Sequence, residues 1–165
     1  MLNWFDNQTS REVTLKRAKQ TSAETCPVAR ALEIIGDRWS LLIVRDAFDG
    51  IRRFNEFQRD LGLSKSVLAS RLQELVGNGV LQIVQAEDGS AYQEYELTGK
   101  GQGLFHVIVG LRQWGEGFLF SRNEARSVML ERKSGKPVGP LALRTRAGRS
   151  LTPDDVVIKK VTKTA

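Results

Sequence analysis

Cysteine, histidine and proline are scarce in this chain of 165 residues, which has one, one and four of them. The lone cysteine, Cys26, excludes a disulfide within the chain and a zinc site built only from cysteines, and it fits a reducing cytoplasm. One histidine and one cysteine cannot supply the ligands of a standard zinc site. We therefore expect no metal, no cofactor and a cytoplasmic location.

Long apolar runs and catalytic sets are absent as well. No stretch approaches the ~20 apolar residues that cross a bilayer, and polar residues such as Asp6 stand where a signal peptide would need an apolar run. The sequence has no glycine-rich phosphate loop and no nucleophile, base and acid in a recognisable arrangement. These absences predict a protein that has no membrane partner and is not an enzyme.

Positive charge is in excess but unevenly placed. The formal net charge is +6, and residues 121–165 hold eleven Lys/Arg against four Asp/Glu, whereas residues 81–120 hold two against five. A basic chain permits a nucleic-acid partner without identifying one. We interpret the basic tail as a solvated surface, with a second DNA-contacting region as the alternative.

Capping signals divide the region after a polar N-terminal arm, residues 1–24, into helices. Pro27 suits the first position of a helix that stops at Gly36, and Asp37 is a candidate N-cap for a second helix, which ends near residue 49. A third helix closes at Gly62. Ser64 then caps a fourth helix from residue 65 to about 76, so the third and fourth helices form a helix, tight turn, helix unit.

β-rich runs follow at residues 80–85 and 92–98, separated by the turn signal Asp88-Gly89. Thr98 is then placed to cap one long apolar helix over residues 99–120. Short strands are expected over residues 128–157, where the runs "KSGKPV" and "RAGRSL" predict two similar turns. The predicted fold is α+β, mainly α: a winged helix-turn-helix domain with flanking helices and a small C-terminal β extension.

The fourth helix, in "LSKSVLASRLQELVGNGVL", has two different faces. Leu68, Leu72, Leu75 and Val76 fall on one face and anchor it to the core, which leaves a polar face outward at helical spacing. A helix displayed in this way fits the major groove of DNA, with its N-terminal residues nearest the base edges. We interpret the polar face as a DNA-contacting surface.

Five ordered motifs extend this interpretation to a family. The segments "CPVARALEIIGDRWSLLIVRDAFDG", "RRFNEFQRDL", "LSKSVLASRLQELVGNGVL", "YELTGKG" and "LRQWG" resemble the HxlR-type winged-helix transcriptional regulators of bacteria, related in fold to MarR-type regulators. The resemblance runs from Cys26 to about Phe118. It implies a homodimeric regulator, a repressor in our interpretation, that binds a pseudo-palindromic operator in double-stranded DNA. The corresponding domain is residues 25–120, followed by a basic extension over residues 121–165.

The resemblance also assigns residues. It implies that the fourth helix reads the major groove through Lys65, Ser66, Val67, Ser70 and Arg71. Val67 is the apolar residue among them and is expected to touch a thymine methyl. Arg52 and Arg53 are expected to meet phosphates. The helix after the wing is expected to form the dimer interface or to line an effector pocket with Leu104, Ile108, Leu111, Trp114 and Phe118.

Two features leave the function open in part. Cys26 stands at or next to a helix N-cap, where the helix dipole favours a thiolate, and the family's cysteine at this place senses oxidants or electrophiles in several members. The alternative is that Cys26 is half-buried and never reacts, and that a small-molecule effector controls the protein instead.

The wing holds Glu87, Asp88 and Glu94 but no Lys or Arg. This composition predicts weak insertion into the minor groove and leaves a protein-interaction module as a second interpretation of the domain.

Overall fold

The computed structural model of the protein describes residues 25–86, 89 and 91–160, and the predicted N-terminal arm lies outside the described residues. Its helices and strands follow in chain order: α1 Pro27–Ile35, α2 Arg38–Phe48, α3 Phe54–Leu61, α4 Lys65–Gly77, β1 Leu81–Gln85, β2 Gln93–Leu97, α5 Gly99–Gln102 and α6 Phe105–Phe118. β1 and β2 pair antiparallel, with Leu81 opposite Leu97. This order confirms the predicted mainly helical, winged helix-turn-helix fold.

The chain forms two compact units that divide between Thr98 and Gly99. The first unit holds the helix-turn-helix and the wing. The second holds α5, α6 and the extension. The domain limits at residues 120 and 121 stay a prediction.

Local capping determines where the helices begin and end, as the sequence indicates. The Asp37 carboxylate accepts hydrogen bonds from the backbone N–H groups of Trp39 and Ser40 at 3.0 Å each, and from the Ser40 hydroxyl. Ser64 Oγ accepts from the Val67 N–H at 3.4 Å at the start of α4. Gly62 ends α3 with φ 63°, a left-handed conformation that glycine adopts without strain.

The core of the first unit lies where α2, α3, α4 and the wing meet. Its fully buried side chains include Ile43, Phe57, Leu68, Leu72 and Leu75. The Phe57 ring packs edge-on against the Tyr95 ring of β2, with 6.4 Å between centroids. The three leucines predicted to anchor α4 are thus buried, while Val76, predicted beside them, is half-buried.

One charged residue of α2 lies in this core, which the sequence did not signal. Asp46 is 1% exposed, and its Oδ1 accepts a hydrogen bond from Arg45 Nε at 2.7 Å. Burial raises the pKa of Asp46 above its ordinary value. The hydrogen bond from Arg45 and the charge of Arg45 lower this pKa, but by less. The same arginine reaches Asp60 of α3 at 3.5 Å, so it connects the two helices.

The long helix predicted from residue 99 to 120 is wrong in its continuity. The segment breaks between α5 and α6 at Gly103 and Leu104. Glycines at positions 99, 101 and 103 give this stretch low helix propensity, so a single helix is not maintained through it.

The hydroxyl of Thr98, directly after β2, donates a hydrogen bond to the Gly79 carbonyl at 2.6 Å. This bond connects the end of β2 to the loop after α4.

The extension contains the two similar turns that the sequence predicts. Each is closed by an isolated antiparallel bridge, Leu130 with Pro137 and Arg144 with Ser150, and the described part of the extension has no longer strands. Gly135 and Gly148 take positive φ values of 66° and 87° in the turns. No helix within the described ranges is long and apolar enough to cross a membrane.

Replacing Asp37 by alanine tests the cap of α2. The loss of its hydrogen bonds should lower the free energy of unfolding by about 1–2 kcal/mol near neutral pH. Burial raises the pKa of Asp37, but hydrogen bonds from Ser40 and Trp39 and the charge of Arg71 outweigh it, so the pKa lies below its ordinary value. Because the folded-state pKa is depressed, the contribution is present above the unfolded pKa and is lost as pH falls through the folded one.

Urea unfolding at neutral and acidic pH measures both effects. The difference between wild type and Asp37→Ala should shrink in acid. Asp49→Ala, which removes an exposed aspartate at the other end of α2, serves as the control and should change stability by less than about 0.5 kcal/mol. An equal loss in the two variants would contradict the cap assignment.

Candidate nucleic-acid interface

The exposed face of α4 begins directly at the helix N-terminus. Lys65, Ser66 and Ser70 are exposed, and Val67 is 39% exposed between them. The opposite face is anchored by three leucines that are 0% exposed. The structure therefore places four of the predicted groove residues together on one rigid helix, beside backbone N–H groups that favour anions.

Arg71, the fifth predicted groove residue, is held by carboxylates. Its Nη1 lies 2.5 Å from Glu74 Oε2 and 3.7 Å from Asp37 Oδ2. It thereby connects α4 to the N-cap of α2. Lys65 forms no ion pair with any residue that the structure describes, so it is the more available positive charge on this face.

Arg52 and Arg53, the predicted phosphate contacts, are also paired with acidic residues. Arg53 Nε donates to Glu94 Oε1 at 3.0 Å, and Arg52 Nη1 lies 2.9 Å from Glu96 Oε1 and 3.7 Å from Glu94 Oε2. Glu94 is only 7% exposed. The arginines thus join the entry of α3 to β2 of the wing, although each keeps about a third or more of its side chain exposed.

Sequence reasoning identified these arginines but missed their partners. It placed Glu94 on an acidic wing, where the structure buries it beneath Arg53. The available signal was charge complementarity between "RR" at residues 52–53 and "EYE" at residues 94–96. Opposite charges at these separations suggest a contact only once the antiparallel wing is known to return to α3.

The charge of the helix-turn-helix and wing segment is negative. Residues 25–98 hold eight Lys/Arg and eleven Asp/Glu, a formal net charge of −3. A cationic field therefore does not come from this segment as a whole. On the exposed face of α4 its cation without an ion pair to a described residue is Lys65, at the start of the helix.

Residues 34–123, which include this interface, match the family described as HxlR-like helix-turn-helix. The chain belongs to the HxlR-like helix-turn-helix family. An uncharacterized HTH-type transcriptional regulator of Mycobacterium tuberculosis is 40% identical over 130 residues, which cover 78% of this chain and 82% of the relative. The uncharacterized HTH-type regulator YdeP of Bacillus subtilis is 35% identical over 94 residues, 56% of this chain and 73% of the relative.

Solved structures agree with this membership. PA1607, whose crystal structure is presented as that of a candidate transcription factor, is 49% identical with a TM-score of 0.79, covering 85% of this chain and 98% of that one. The redox regulator HypR in its reduced form is 30% identical with a TM-score of 0.51, covering 56% and 92%. This HxlR-family protein is a DNA-binding transcriptional regulator with a winged helix-turn-helix.

Cys26 of this HxlR-family regulator occupies the N-cap position of α1, as the sequence predicts. Its backbone is extended, with φ −95° and ψ 112°, and its side chain makes no capping hydrogen bond. The residue as a whole is half-buried. Its carbonyl accepts the Arg30 N–H at 3.1 Å.

The predicted interface helix, α6, leaves apolar side chains uncovered. Leu111, Trp114 and Phe118 are 49%, 56% and 75% exposed, while Leu104 and Ile108 are half-buried. The Trp114 and Phe118 rings lie 5.8 Å apart, centroid to centroid. In the described ranges no group of three or more potential metal ligands comes together.

Proposed function

We propose that this HxlR-family regulator is a homodimeric repressor that binds a pseudo-palindromic operator, with α4 of each subunit in a major groove. The observation that carries the proposal is the Ser64-capped helix, held by buried leucines and exposing Lys65, Ser66 and Ser70 at its start. A helix fixed in this way can reach base edges without losing further conformational freedom. Its N–H groups also favour a phosphate.

Each residue of the interface has a proposed part. Lys65 donates to a guanine edge or a phosphate, the serine hydroxyls bond base edges, and the Val67 side chain touches a thymine methyl. Arg71 makes both of its carboxylate contacts through Nη1, which leaves Nε and Nη2 for DNA. Arg52 and Arg53 contact phosphates from positions fixed by Glu94 and Glu96.

The proposed dimer explains the apolar side chains of α6. A single chain leaves Leu111, Trp114 and Phe118 between 49% and 75% exposed, and burial of this remaining apolar surface contributes on the order of 1 kcal/mol or more for each side chain. We place the dimer interface on α6, with Leu104 and Ile108 at its margin. Light scattering should give twice the mass of one chain. The alternative is that this surface forms a small-molecule pocket beside Trp114.

Control by oxidation of Cys26 is the regulatory part of the proposal. Similarity to the redox regulator HypR and the N-cap position of Cys26 support it. The Cys26 thiolate attacks a peroxide, forming an S–O bond as the O–O bond breaks and the leaving oxygen departs as water after protonation. A second thiol then attacks the sulfenic sulfur, forming S–S and releasing water. This second thiol belongs to another subunit or to a small-molecule thiol, because the chain has one cysteine.

The test is DNA binding by the full chain to the DNA upstream of its own gene, with and without peroxide, for wild type and Cys26→Ser. We expect specific binding by both proteins and release of DNA by peroxide from the wild type alone. Binding that is indifferent to peroxide would overturn control by Cys26 but keep the regulator. No preference over competitor DNA at this or other candidate operators would overturn the operator proposal.

A second function is favoured by the net charge of −3 over residues 25–98. A winged helix with this charge can use the same surfaces for a protein partner. Lys65→Ala separates the two functions, because it should weaken operator binding and leave a wing-bound protein partner unaffected.

A further inference from the structure

The extension carries two hairpins built on one plan. In the first basic hairpin, residues 130–137, the Glu131 N–H donates to the Lys136 carbonyl and the Gly135 N–H to the Glu131 carbonyl, both at 2.8 Å. In the second basic hairpin, residues 144–150, the Thr145 N–H donates to the Arg149 carbonyl at 2.8 Å and the Gly148 N–H to the Thr145 carbonyl at 2.9 Å. Each turn is therefore held by backbone hydrogen bonds around a glycine with positive φ.

Each basic hairpin holds three cationic side chains, and all six residues are exposed: Arg132, Lys133, Lys136, Arg144, Arg146 and Arg149. Arg144 and Arg149 are used within their own hairpin or its flank, since Arg144 bonds the Gly148 carbonyl at 2.9 Å and Arg149 pairs with Asp155 at 3.0 Å. The other four form no ion pair with any residue in the described part of the chain. They are exposed charges on turns that backbone hydrogen bonds close, and the one carboxylate of the two hairpins, that of Glu131, accepts a hydrogen bond from the Ser134 hydroxyl.

The helix-turn-helix and wing show the opposite arrangement. Four of their arginines, at positions 45, 52, 53 and 71, are paired with carboxylates, and residues 25–98 have a net charge of −3. Residues 121–165 have an excess of seven positive charges. The chain thus separates the helix that can read bases from the charge that can neutralise phosphates.

We propose that the two basic hairpins bind the phosphate backbone of DNA and supply most of the sequence-independent affinity. This rests on the proposed operator binding and deepens it. DNA is the polyanion that the same chain already addresses, and its phosphates are spaced closely enough for several hairpin cations to engage at once. The small residues Ser134, Gly135 and Gly148 between these cations let a phosphate approach the turns closely. Because the turns are already ordered, little backbone entropy is lost on binding.

The test compares two full-length variants that lose the same charge. The hairpin variant is Arg132→Gln, Lys133→Gln and Arg146→Gln. The matched control, Arg122→Gln, Lys159→Gln and Lys160→Gln, removes three exposed cations outside the hairpins. The dissociation constant is measured for an operator fragment and for random DNA of equal length over a range of salt concentrations, after thermal unfolding has shown that all proteins are folded.

For the hairpin variant we expect the slope of log affinity against log salt to become shallower by roughly 2 to 3, one unit per lost phosphate contact. Affinity at moderate salt should fall about ten- to hundredfold on both DNAs, with an unchanged ratio between operator and random DNA. The control should change affinity less than about threefold.

The proposal would be overturned by an unchanged slope in the hairpin variant, by equal losses in the two variants, or by a loss confined to the operator. Retained DNA binding with loss of an acidic protein partner or of binding to anionic lipid vesicles would assign the hairpins elsewhere and overturn it too. Failure of the operator proposal is seen separately, as a wild type without preference for the operator. The slope on random DNA then still decides the role of the hairpins.

Discussion

Ser66→Glu is expected to abolish operator binding while leaving the fold intact. Ser66 is the second residue of α4 and is exposed, so the new carboxylate meets phosphates and base acceptors directly. Like charges brought together in an interface cost several kcal/mol, and we expect at least a ~100-fold loss of affinity. In the free protein the same carboxylate lies in the first turn of a helix, where it stabilises by about 0.3–1 kcal/mol.

The opposite signs of these two effects make the result easy to interpret. Thermal unfolding of Ser66→Glu should be unchanged or slightly raised, so a loss of DNA binding cannot be attributed to unfolding. Ser66→Ala should weaken binding only a few-fold, and Gln102→Glu, which adds the same charge on an exposed residue of α5, should leave it within about threefold. Operator binding retained by Ser66→Glu would exclude the start of α4 from the groove.

Phe57→Ala should cause the largest loss of stability. The Phe57 side chain is 0% exposed in α3 and packs against Tyr95 of the wing. Its removal takes away buried apolar area and leaves a cavity between helix and wing, which costs about 3–5 kcal/mol. For a chain of this size we expect the unfolding temperature to fall by roughly 10 °C.

Denaturant unfolding measured beside two further variants checks this prediction. Phe57→Leu fills part of the cavity and should recover more than half of the loss. Tyr92→Ala removes an aromatic ring that is 69% exposed and should cost less than about 0.5 kcal/mol. A loss below about 1 kcal/mol for Phe57→Ala would mean that the contact between α3 and the wing is not essential to the core.

Features that depend on neighbours along the chain could be predicted from the sequence. Asp37 and Ser64 cap helices because their oxygens reach N–H groups two or three residues away. The leucines of α4 face one way because three- and four-residue spacings return to the same side of a helix. The turns at Gly135 and Gly148 likewise require only glycine and its flanking residues. Such interactions are contained within a few residues, so a pattern in the sequence is sufficient to predict them.

Whether a long helix is continuous was harder to predict from the sequence. Residues 99–120 have an apolar stripe that suits one helix, but glycines weaken the backbone at its start and the chain forms α5 and α6 instead. Periodicity identifies which side of a helix is apolar. It does not measure whether each turn is stable, because that depends on what packs against it.

Which charges are available to a ligand depends on the three-dimensional fold and could not be predicted from the sequence. The sequence predicts Arg52 and Arg53 as phosphate contacts, yet they pair with Glu94 and Glu96, and Arg53 lies 41 residues from its partner. Arg71 likewise reaches back to Asp37, and Asp46 is buried in the core. An ion pair forms where the fold brings two side chains within a few ångströms, and its strength depends on their burial. Neither distance nor burial can be obtained from composition or spacing, so the sequence located the helix proposed to contact DNA and the fold decided which positive charges beside it are held by carboxylates.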